Sequence, residues 1–242
     1  MIFPVKVPYT ISADITKYTG EVFNSKPSEE YISQKAKEIS LYRDKLLHTQ
    51  QDAYDHVRKL SIYCGFNETD KIEEVAFQLE EDIAILHKGV LKSICFCFPS
   101  GFVPASKIGM NFFDMHLPVA DGDRLRAASN KVTELISKEG ASFRRYVWTV
   151  SSLASLSQLP SYIRPEALKL SDLFFRTEIQ TTIGYTNDIC FFFVKVNMTP
   201  LATIWDDTEK RKMIIDSVNS MSYDVLTYKN LHQIKSMLNQ YI

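Results

Sequence analysis

Two neighbouring segments with the period of a β-strand most constrain the fold of this chain. In residues 174–183, the polar side chains Arg176, Glu178 and Gln180 recur at every second position between apolar or hydroxyl-bearing residues. A short polar turn follows, and residues 189–204 form a strongly apolar segment. Two such segments joined by a short turn predict a β-hairpin in the middle of an antiparallel sheet.

The rest of the chain divides into strand-like and helical segments. Apolar or alternating patterns typical of β-strands also occur in residues 91–98, 110–117 and 144–153. Together with the hairpin they predict a sheet of about five strands. Helical periodicity predicts one or two helices over 28–63, one from 67 or 69 to 86, an inserted helix over 121–138, and closing helices over 206–242. Residues 1–27 read as an irregular lead-in. The predicted class is α+β, as one domain over 1–242, with helices before, within and after the sheet.

Composition excludes several classes of partner. The net charge is −1, and no run of Lys and Arg exceeds three residues, so we expect no nucleic-acid partner. No stretch approaches the roughly 20 apolar residues that a membrane span needs, so we expect no membrane partner. The N-terminal residues lack a sustained apolar signal region, which predicts a soluble, cytoplasmic protein.

The four cysteines do not indicate a metal or redox site. Cys95 and Cys97 have the spacing of one strand face, which fits neither a zinc ribbon nor a redox pair. Together with Cys64 and Cys190 they are expected to be buried free thiols. A catalytic pair of Cys95 or Cys97 with His116 is possible on paper, but thiols among phenylalanines have raised pKa values.

His116 is the histidine that most resembles a ligand. It lies in a short apolar segment closed by Pro118, and a proline biases the chain before it towards an extended conformation. A neutral imidazole held on such an edge could bind a metal or haem iron. Taken alone, a histidine beside a core strand also fits an ordinary structural residue.

The row Arg176, Glu178 and Gln180 has two interpretations. Its three side chains share one strand face at spacings of about 7 Å, as the period of two dictates. The row could be a solvated outer face, or it could be the polar wall of a pocket in which a carboxylate holds a cationic amine. Trp148 and residues 191–193 would then provide flat apolar walls, although aromatic residues at strand spacing also fit a plain core.

Four ordered segments carry a family resemblance. They are QLEEDIAIL (78–86), CFPSGFVPASKIGMNFFDMHLPV (97–119), RRYVWTV (144–150) and FRTEIQTTI (175–183). They resemble the haem-dependent oxidative N-demethylase family, whose pattern is an "EDxxLL" segment, then "cFPSxWxPxxKxGxxLxxIHxPVP", then an Arg-rich strand with "NW", then "RxERQ". The resemblance spans roughly residues 30–205.

The resemblance implies a fold, a cofactor and a set of site residues. It implies a PAS-like sheet that binds haem b, with His116 as the axial ligand of the iron and Lys107 near a propionate. Trp148 matches the family tryptophan, and Arg176, Glu178 and Gln180 match its "RxERQ" positions. The implied reaction is the oxidation of a small amine with O2, with electrons from a separate reductase or from the substrate itself.

The chain departs from this pattern at four positions: Phe102, Ala120, Val147 and Ile179. These departures leave His116, the proposed haem ligand, in place, but they put the identity of the substrate in question. A further interpretation is therefore a diverged enzyme that acts on another amine or on an N-oxygenated amine. A non-enzymatic haem or small-molecule sensor built on the same sheet is the main alternative. A third is an interaction protein without a cofactor, in which His116 is structural.

Overall fold

The structure is a computed structural model that describes residues 2–241. Seven strands form one sheet, and helices precede it, interrupt it and follow it, which confirms the α+β class. The strands are β1 (Thr16–Lys17), β2 (Leu47–Thr49), β3 (Asp82–His87), β4 (Val90–Cys95), β5 (Ser142–Ser151), β6 (Phe174–Gly184) and β7 (Ile189–Pro200). The helices are α1 (Glu29–Leu46), α2 (Tyr54–Tyr63), α3 (Ile72–Ala76), α4 (Phe112–Met115), α5 (Asp123–Ala127), α6 (Ser129–Ile136), α7 (Ala202–Trp205), α8 (Thr208–Asn219), α9 (Tyr223–Lys229) and α10 (His232–Leu238).

The sheet has the strand order β1-β5-β6-β7-β3-β4-β2, and every neighbouring pair is antiparallel. The predicted hairpin of β6 and β7 lies at its centre, as expected. The sheet has more strands than predicted because β1, β2 and β3 were not recognised as strands, whereas residues 110–117 do not form one.

The helix predicted from 67 or 69 to 86 is wrong over its second half. Only α3 is helical, and β3 follows it between β4 and β7. Ile83, Ala84, Ile85 and Leu86 are all buried because a strand at this place is covered on both faces. Such a continuous apolar run has no period of two, so it cannot be distinguished from a buried helix by pattern.

The helical stretch 28–63 is also interrupted. Ser28 caps α1 as predicted, accepting a hydrogen bond from the Tyr31 amide. The helix kinks at Tyr42 and is followed by β2, which pairs with β4. The chain then returns to helix in α2, and Gly65 follows with a positive φ of 78°, which is the expected end.

Two groups of helices pack against opposite faces of the sheet. The closing helices α8, α9 and α10 pack against a cluster that includes Trp148 and Phe175. The inserted helices α4 and α6 pack against a cluster that includes Phe143. Phe143 and Trp148 are five residues apart on one regular strand, so they point to opposite faces.

The face that carries Phe143 also carries Glu178. Phe143 is paired with Thr182, and Thr182 shares its face with Gln180, Glu178 and Arg176. We call this face the site face. The inserted helices and the predicted row of polar residues therefore lie on the same side of the sheet.

Two further expectations can be compared with the structure. All four cysteines are free and buried, as predicted. Within residues 2–241, no helix has both the length and the apolar character needed to cross a bilayer.

Candidate functional site

The central strand β6 presents Arg176, Glu178 and Gln180 together on the site face. In the register of the sheet, Glu178 is opposite Val147 on β5 and Val196 on β7. Glu178 thus lies between two apolar neighbours, and the row is not a solvated outer face, since Arg176 is 2% and Glu178 8% exposed. The structure brings the three predicted side chains together.

Arg176 is held in a single orientation by neighbouring carbonyl groups. Its Nη1 lies 2.6 Å from Oε1 of Glu178. Its Nη2 donates hydrogen bonds to the carbonyl oxygens of Phe98, at 2.8 Å, and Leu156, at 3.2 Å. A guanidinium with this many fixed acceptors cannot swing away from its carboxylate.

Glu178 receives hydrogen bonds on both carboxylate oxygens. Gln180 Nε2 donates to Oε2 at 2.7 Å, and the Ser100 hydroxyl donates to Oε1 while accepting a hydrogen bond from Arg176. We call Ser100, Arg176, Glu178 and Gln180 the Glu178 cluster. Burial would raise the pKa of Glu178, but the Arg176 charge and the hydrogen bonds outweigh burial and lower it. The carboxylate is therefore ionised at neutral pH and suited to bind a cation.

A second group of charged side chains surrounds the cluster. Arg145 on β5 is paired in register with Gln180, so its side chain also lies on the site face. It is half-buried, its Nε has no hydrogen-bond partner among the described residues, and burial lowers its pKa against the opposing effect of Glu178. Arg145 is thus a cation next to the cluster, and the carboxylates of Glu178 and Asp14 act on it without a direct ion pair among residues 2–241.

Lys229, at the end of α9, approaches from the edge of the sheet. Its Nζ donates to the backbone oxygen of Trp148 at 3.1 Å and lies 5.4 Å from the centre of the Tyr9 ring. Burial lowers the pKa of Lys229 to about 8, although the Glu178 charge opposes this change. Burial also raises the pKa of Tyr9 to about 12. Lys229 therefore adds an amine with a lowered pKa to the surroundings of Glu178.

The extended conformation predicted for residues 110–117 is wrong. Asn111 accepts a hydrogen bond from the Asp114 amide at 3.0 Å and so starts the short helix α4, and His116 is the residue that ends it. The proline restricts Leu117, which is directly before it, and leaves His116 free to adopt its φ of −101° and ψ of 3°.

The His116 ring is held in one tautomer. Its Nδ1 lies 2.6 Å from the backbone oxygen of Phe112. Because a carbonyl oxygen only accepts, Nδ1 must carry the hydrogen, and in the neutral ring Nε2 keeps its lone pair. The ring also stacks on that of Phe112, with centroids 4.1 Å apart. Among residues 2–241, no hydrogen bond uses Nε2.

The surroundings of His116 favour the neutral ring. Burial lowers the pKa of His116, the hydrogen bond to Phe112 opposes this, and the charges of Arg145 and Lys107 lower the pKa further. Lys107 ends a short 3-10 turn, Pro104–Lys107, and is half-buried. The structure thus brings Lys107, Arg145 and His116 within electrostatic reach of one another.

Trp148 is not part of this group. It alternates with Val147 and Thr149 on β5 and so points to the other face, where its ring stacks on Phe175 with centroids 5.6 Å apart. Only its backbone oxygen faces the site, through Lys229. The structure therefore places Trp148 in the core of the closing helices.

Sequence reasoning missed Ser100, Arg145 and Lys229. Ser100 lies between Pro99 and Gly101 in the CFPSGF segment, and its place in this turn is its only signal. Arg145, Val147 and Thr149 are alternate residues of β5 and share one face of the strand. Which face of the sheet this is follows only from the pairing of β5 with β6. Nothing in the sequence connects Lys229 with a strand more than 80 residues earlier.

The departures from the family pattern fall at different distances from Glu178. Val147 is its direct neighbour across the β5–β6 pair, whereas Ile179 points to the opposite face. Phe102 packs near Phe96, with ring centroids 6.4 Å apart. Val147 is therefore the departure that most directly changes the environment of Glu178.

Two cavities in the structure have volumes of about 470 and 370 Å³. The larger one lies between α1, α2 and the residues before α3, away from the site face. The smaller one is lined by Gly101 and Tyr228 and so lies beside the Glu178 cluster. His116 lines neither of them.

Comparison with known proteins agrees with the resemblance in the sequence. No curated protein matches the chain. A family model described as "Haem-dependent oxidative N-demethylase, alpha subunit-like" matches residues 44–239, which include His116 and the whole Glu178 cluster. The chain therefore belongs to the family of proteins that resemble the alpha subunit of haem-dependent oxidative N-demethylase.

Proposed function

We propose that this chain is a haem-dependent oxidoreductase that removes an N-methyl group from a small amine, or oxidises a related N-oxygenated amine. One observation carries the proposal. His116 is a neutral imidazole with its Nε2 lone pair free, and it belongs to a helix that packs on the same sheet face as the ionised Glu178. The matched family supports the haem dependence and the class of reaction.

The donor chemistry around His116 supports haem b as the proposed cofactor. A haem supplies four nitrogen ligands itself and needs a single protein ligand, and the free Nε2 of His116 is such a ligand. The hydrogen bond from Nδ1 to the Phe112 carbonyl is the usual outer contact of a metal-binding histidine. Arg145, whose buried Nε has no partner, and Lys107 are cations near His116 that could hold the propionates. We accordingly propose that the sheet is a PAS-like haem cup.

The donor set also favours haem over an ion bound by side chains alone. Among residues 2–241, no group of three or more His, Cys, Asp and Glu side chains is placed to hold a metal ion. A single histidine cannot replace such a group, but it suffices for haem iron.

The haem would supply the O2 and redox chemistry, and the protein would hold the amine. Overall, an N-methyl amine, O2, two electrons and two protons give the demethylated amine, formaldehyde and water. The electrons would come from a separate reductase. The methyl C–H and then the C–N bond break, the methyl carbon is oxidised, and O2 is reduced.

Glu178 would hold the amine. Its lowered pKa makes it a better hydrogen-bond acceptor for an ammonium group than a base for removing its proton. Arg176, Ser100 and Gln180 would act as positioning residues, because each fixes the carboxylate by a hydrogen bond or ion pair. Val147, opposite Glu178, would offer an apolar contact to the methyl group.

The proposal is tested by formaldehyde release from haem-loaded protein supplied with an N-methyl amine, O2 and a reductant. We expect Glu178→Gln to keep the Soret band, because His116 is unchanged, and to lower turnover by about a hundredfold or more. Ser100→Ala, which removes one hydrogen bond to Glu178, should lower turnover less. Formaldehyde release that is unchanged in Glu178→Gln would remove Glu178 from the reaction.

A further inference from the structure

Asp82, the first residue of β3, accepts two backbone hydrogen bonds from the segment that follows β4. The pairing of β3 with β4 ends at Ile83 and Cys95. Beyond this pair, the amides of Cys97 and Phe98 donate to Oδ1 and Oδ2 of Asp82, at 2.9 and 2.8 Å. The carboxylate thus replaces a strand partner and fixes the chain where the β3–β4 pairing ends.

Lys35 of α1 is the cation that accompanies Asp82 in the interior. Both residues are fully buried, and Nζ of Lys35 lies 4.0 Å from Oδ1 of Asp82. Nζ also donates to the carbonyl oxygens of Ala76, Leu79 and Glu81, at 3.0, 2.9 and 2.6 Å. Burial raises the pKa of Asp82 to about 6, and the Lys35 charge and the two amides oppose this change. Asp82 is therefore an anion at neutral pH.

The turn at residues 97–100 joins Asp82 to the Glu178 cluster. The Phe98 amide donates to Asp82, and the Phe98 carbonyl oxygen accepts from Nη2 of Arg176 at 2.8 Å. Two residues later, the Ser100 hydroxyl contacts both Arg176 and Glu178. A series of hydrogen bonds through one turn therefore connects the carboxylate of Asp82 with that of Glu178.

The other side of the turn is fixed by the backbone of Gln158. Its amide donates to the carbonyl oxygen of Pro99 at 2.9 Å, and its carbonyl oxygen accepts from the Gly101 amide at 3.0 Å. Ser100 itself is exposed, so the contacts of the neighbouring backbone, rather than packing, set the position of its hydroxyl. Asp82 supplies those contacts on the side that faces β3.

Four buried charges alternate in sign along this path. Lys35 and Arg176 are cations, Asp82 and Glu178 are anions, and none of the four is more than 8% exposed. The charge of Arg176 also lowers the pKa of Asp82, so the guanidinium acts on both carboxylates. Among residues 2–241, no hydrogen bond or ion pair joins Asp82 directly to Glu178. Any influence of Asp82 on the orientation of Glu178 therefore passes through the turn.

We propose that Asp82 is a positioning residue for the proposed reaction: through the turn at residues 97–100 it places the Ser100 hydroxyl, and so the hydrogen bond that orients Glu178. The inference deepens the function proposed above, and it rests on that function for the role of Glu178 as the group that holds the amine. Lys35 is the cation that keeps Asp82 ionised for this task.

The test is the pKa of Glu178 in haem-free protein, followed through the NMR signal of its carboxyl carbon, which Glu178→Gln lacks. In Asp82→Asn, the new amide group faces a backbone amide, and both are donors. The turn should then move and weaken the Ser100 hydrogen bond, which raises the pKa of Glu178. The loss of a nearby negative charge alone would lower that pKa instead. The sign therefore distinguishes positioning from a simple charge effect.

A second comparison shows whether Ser100 carries the effect. Ser100→Ala should itself raise the pKa of Glu178, and Asp82→Asn added to Ser100→Ala should raise it little further, since both act on one hydrogen bond. If Asp82→Asn alone does not fold, Asp82→Asn combined with Lys35→Met removes both buried charges and carries the same prediction.

The matched control is Glu81→Gln, at the neighbouring buried carboxylate. Its Oε2 accepts from the Asn24 amide at 2.9 Å and, within the described part of the chain, from no residue of the turn. This substitution should leave the pKa of Glu178 unchanged. A pKa of Glu178 that falls or stays constant in Asp82→Asn, or that rises as much in the Ser100→Ala background, would overturn the inference.

Turnover separates this inference from the proposed function. In haem-loaded protein, Asp82→Asn should lower formaldehyde release roughly tenfold, because Glu178 is displaced but still present. Glu81→Gln should not lower it. A raised pKa of Glu178 in Asp82→Asn, without formaldehyde release from the unmodified chain, keeps the positioning of Glu178 by Asp82 and removes the oxidase. Formaldehyde release with an unchanged pKa of Glu178 in Asp82→Asn removes the positioning role and leaves the oxidase.

Discussion

The Glu178 cluster and the His116 segment lie on the same side of the sheet but are built in opposite ways. In the cluster, both carboxylate oxygens and both terminal guanidinium nitrogens have hydrogen-bond partners, some on β6 itself and some in the turn that carries Phe98 and Ser100. His116 makes one side-chain hydrogen bond, to a residue of its own short helix, and leaves Nε2 free. Oε2 of Glu178 has one donor and can accept a second hydrogen bond from a ligand, whereas Nε2 of His116 has no hydrogen-bond partner among the described residues.

This difference assigns the two regions different tasks. A buried ion pair held by several hydrogen bonds keeps a charge at a fixed place, and removing one partner should destabilise the whole fold. A half-buried ring with a free nitrogen is suited to coordination. Its removal should weaken ligand binding more than it destabilises the fold. The predictions below test this contrast.

The largest effect is expected from Arg176→Ala. The substitution leaves the Glu178 carboxylate buried without its cation, so it should lower the free energy of unfolding by about 3–5 kcal/mol. The matched control is Arg43→Ala, which breaks an ion pair with Glu73 at a half-exposed arginine and should cost no more than about 1 kcal/mol. Urea denaturation measures both. Equal losses in the two variants would show that the cluster is an ordinary surface pair.

Acid should destabilise the two regions in different pH ranges. Both pKa values are lowered by folding, so the unfolded chain binds each proton more readily, and stability falls as the pH decreases through each range. The contribution of His116 is complete above about pH 6.5 and is lost below it, and that of Glu178 is complete above about pH 4.3 and is lost below it.

The difference in unfolding free energy between the unmodified chain and each variant isolates these ranges. In haem-free protein, the difference in unfolding free energy between the unmodified chain and His116→Gln should change below about pH 6.5. The corresponding difference for Glu178→Gln should change only below about pH 4.3. Each difference should change by at most about 1.4 kcal/mol per pH unit. Denaturation across pH 3–8 provides the data. A change for Glu178→Gln near pH 6 would mean that its carboxylate is protonated there and does not hold a cation.

The smallest effect is expected from Asn111→Ala, which removes the cap of α4. The loss should be about 1 kcal/mol and local to the helix that positions His116, so haem affinity should fall several-fold while global stability changes little. Asp207→Ala, which removes the cap of α8, is the control. It should lower global stability by about 1 kcal/mol and leave haem affinity unchanged. A haem affinity that falls in Asp207→Ala but not in Asn111→Ala would separate α4 from haem binding.

The same contrast explains what could be predicted from sequence. The row Arg176, Glu178 and Gln180 was recognised because a half-polar strand has a period of two, and the structure keeps that period through the hairpin. The sequence pattern wrongly predicts a helix at β3, because a strand buried on both faces has no such period. An alternating pattern therefore identifies strands that have one buried face. It cannot identify β3, which is buried on both faces.

His116 shows a second limit. Its residue type and its family motif single it out, but its conformation depends on the Asn111 cap, five residues earlier, rather than on Pro118. Trp148 was grouped with the site although its strand places it on the other face. Three residues of the site could not be found from local sequence patterns, because contacts between distant segments bring them there. They are Ser100, Arg145 and Lys229.

The most direct measurement is the haem content of purified His116→Ala compared with the unmodified chain and with His48→Ala, a change at an exposed histidine on β2. We predict a Soret band for the unmodified chain and for His48→Ala, and its loss in His116→Ala, which should remain folded. A Soret band of undiminished intensity in His116→Ala, or none in the unmodified chain reconstituted with haem, would contradict the account.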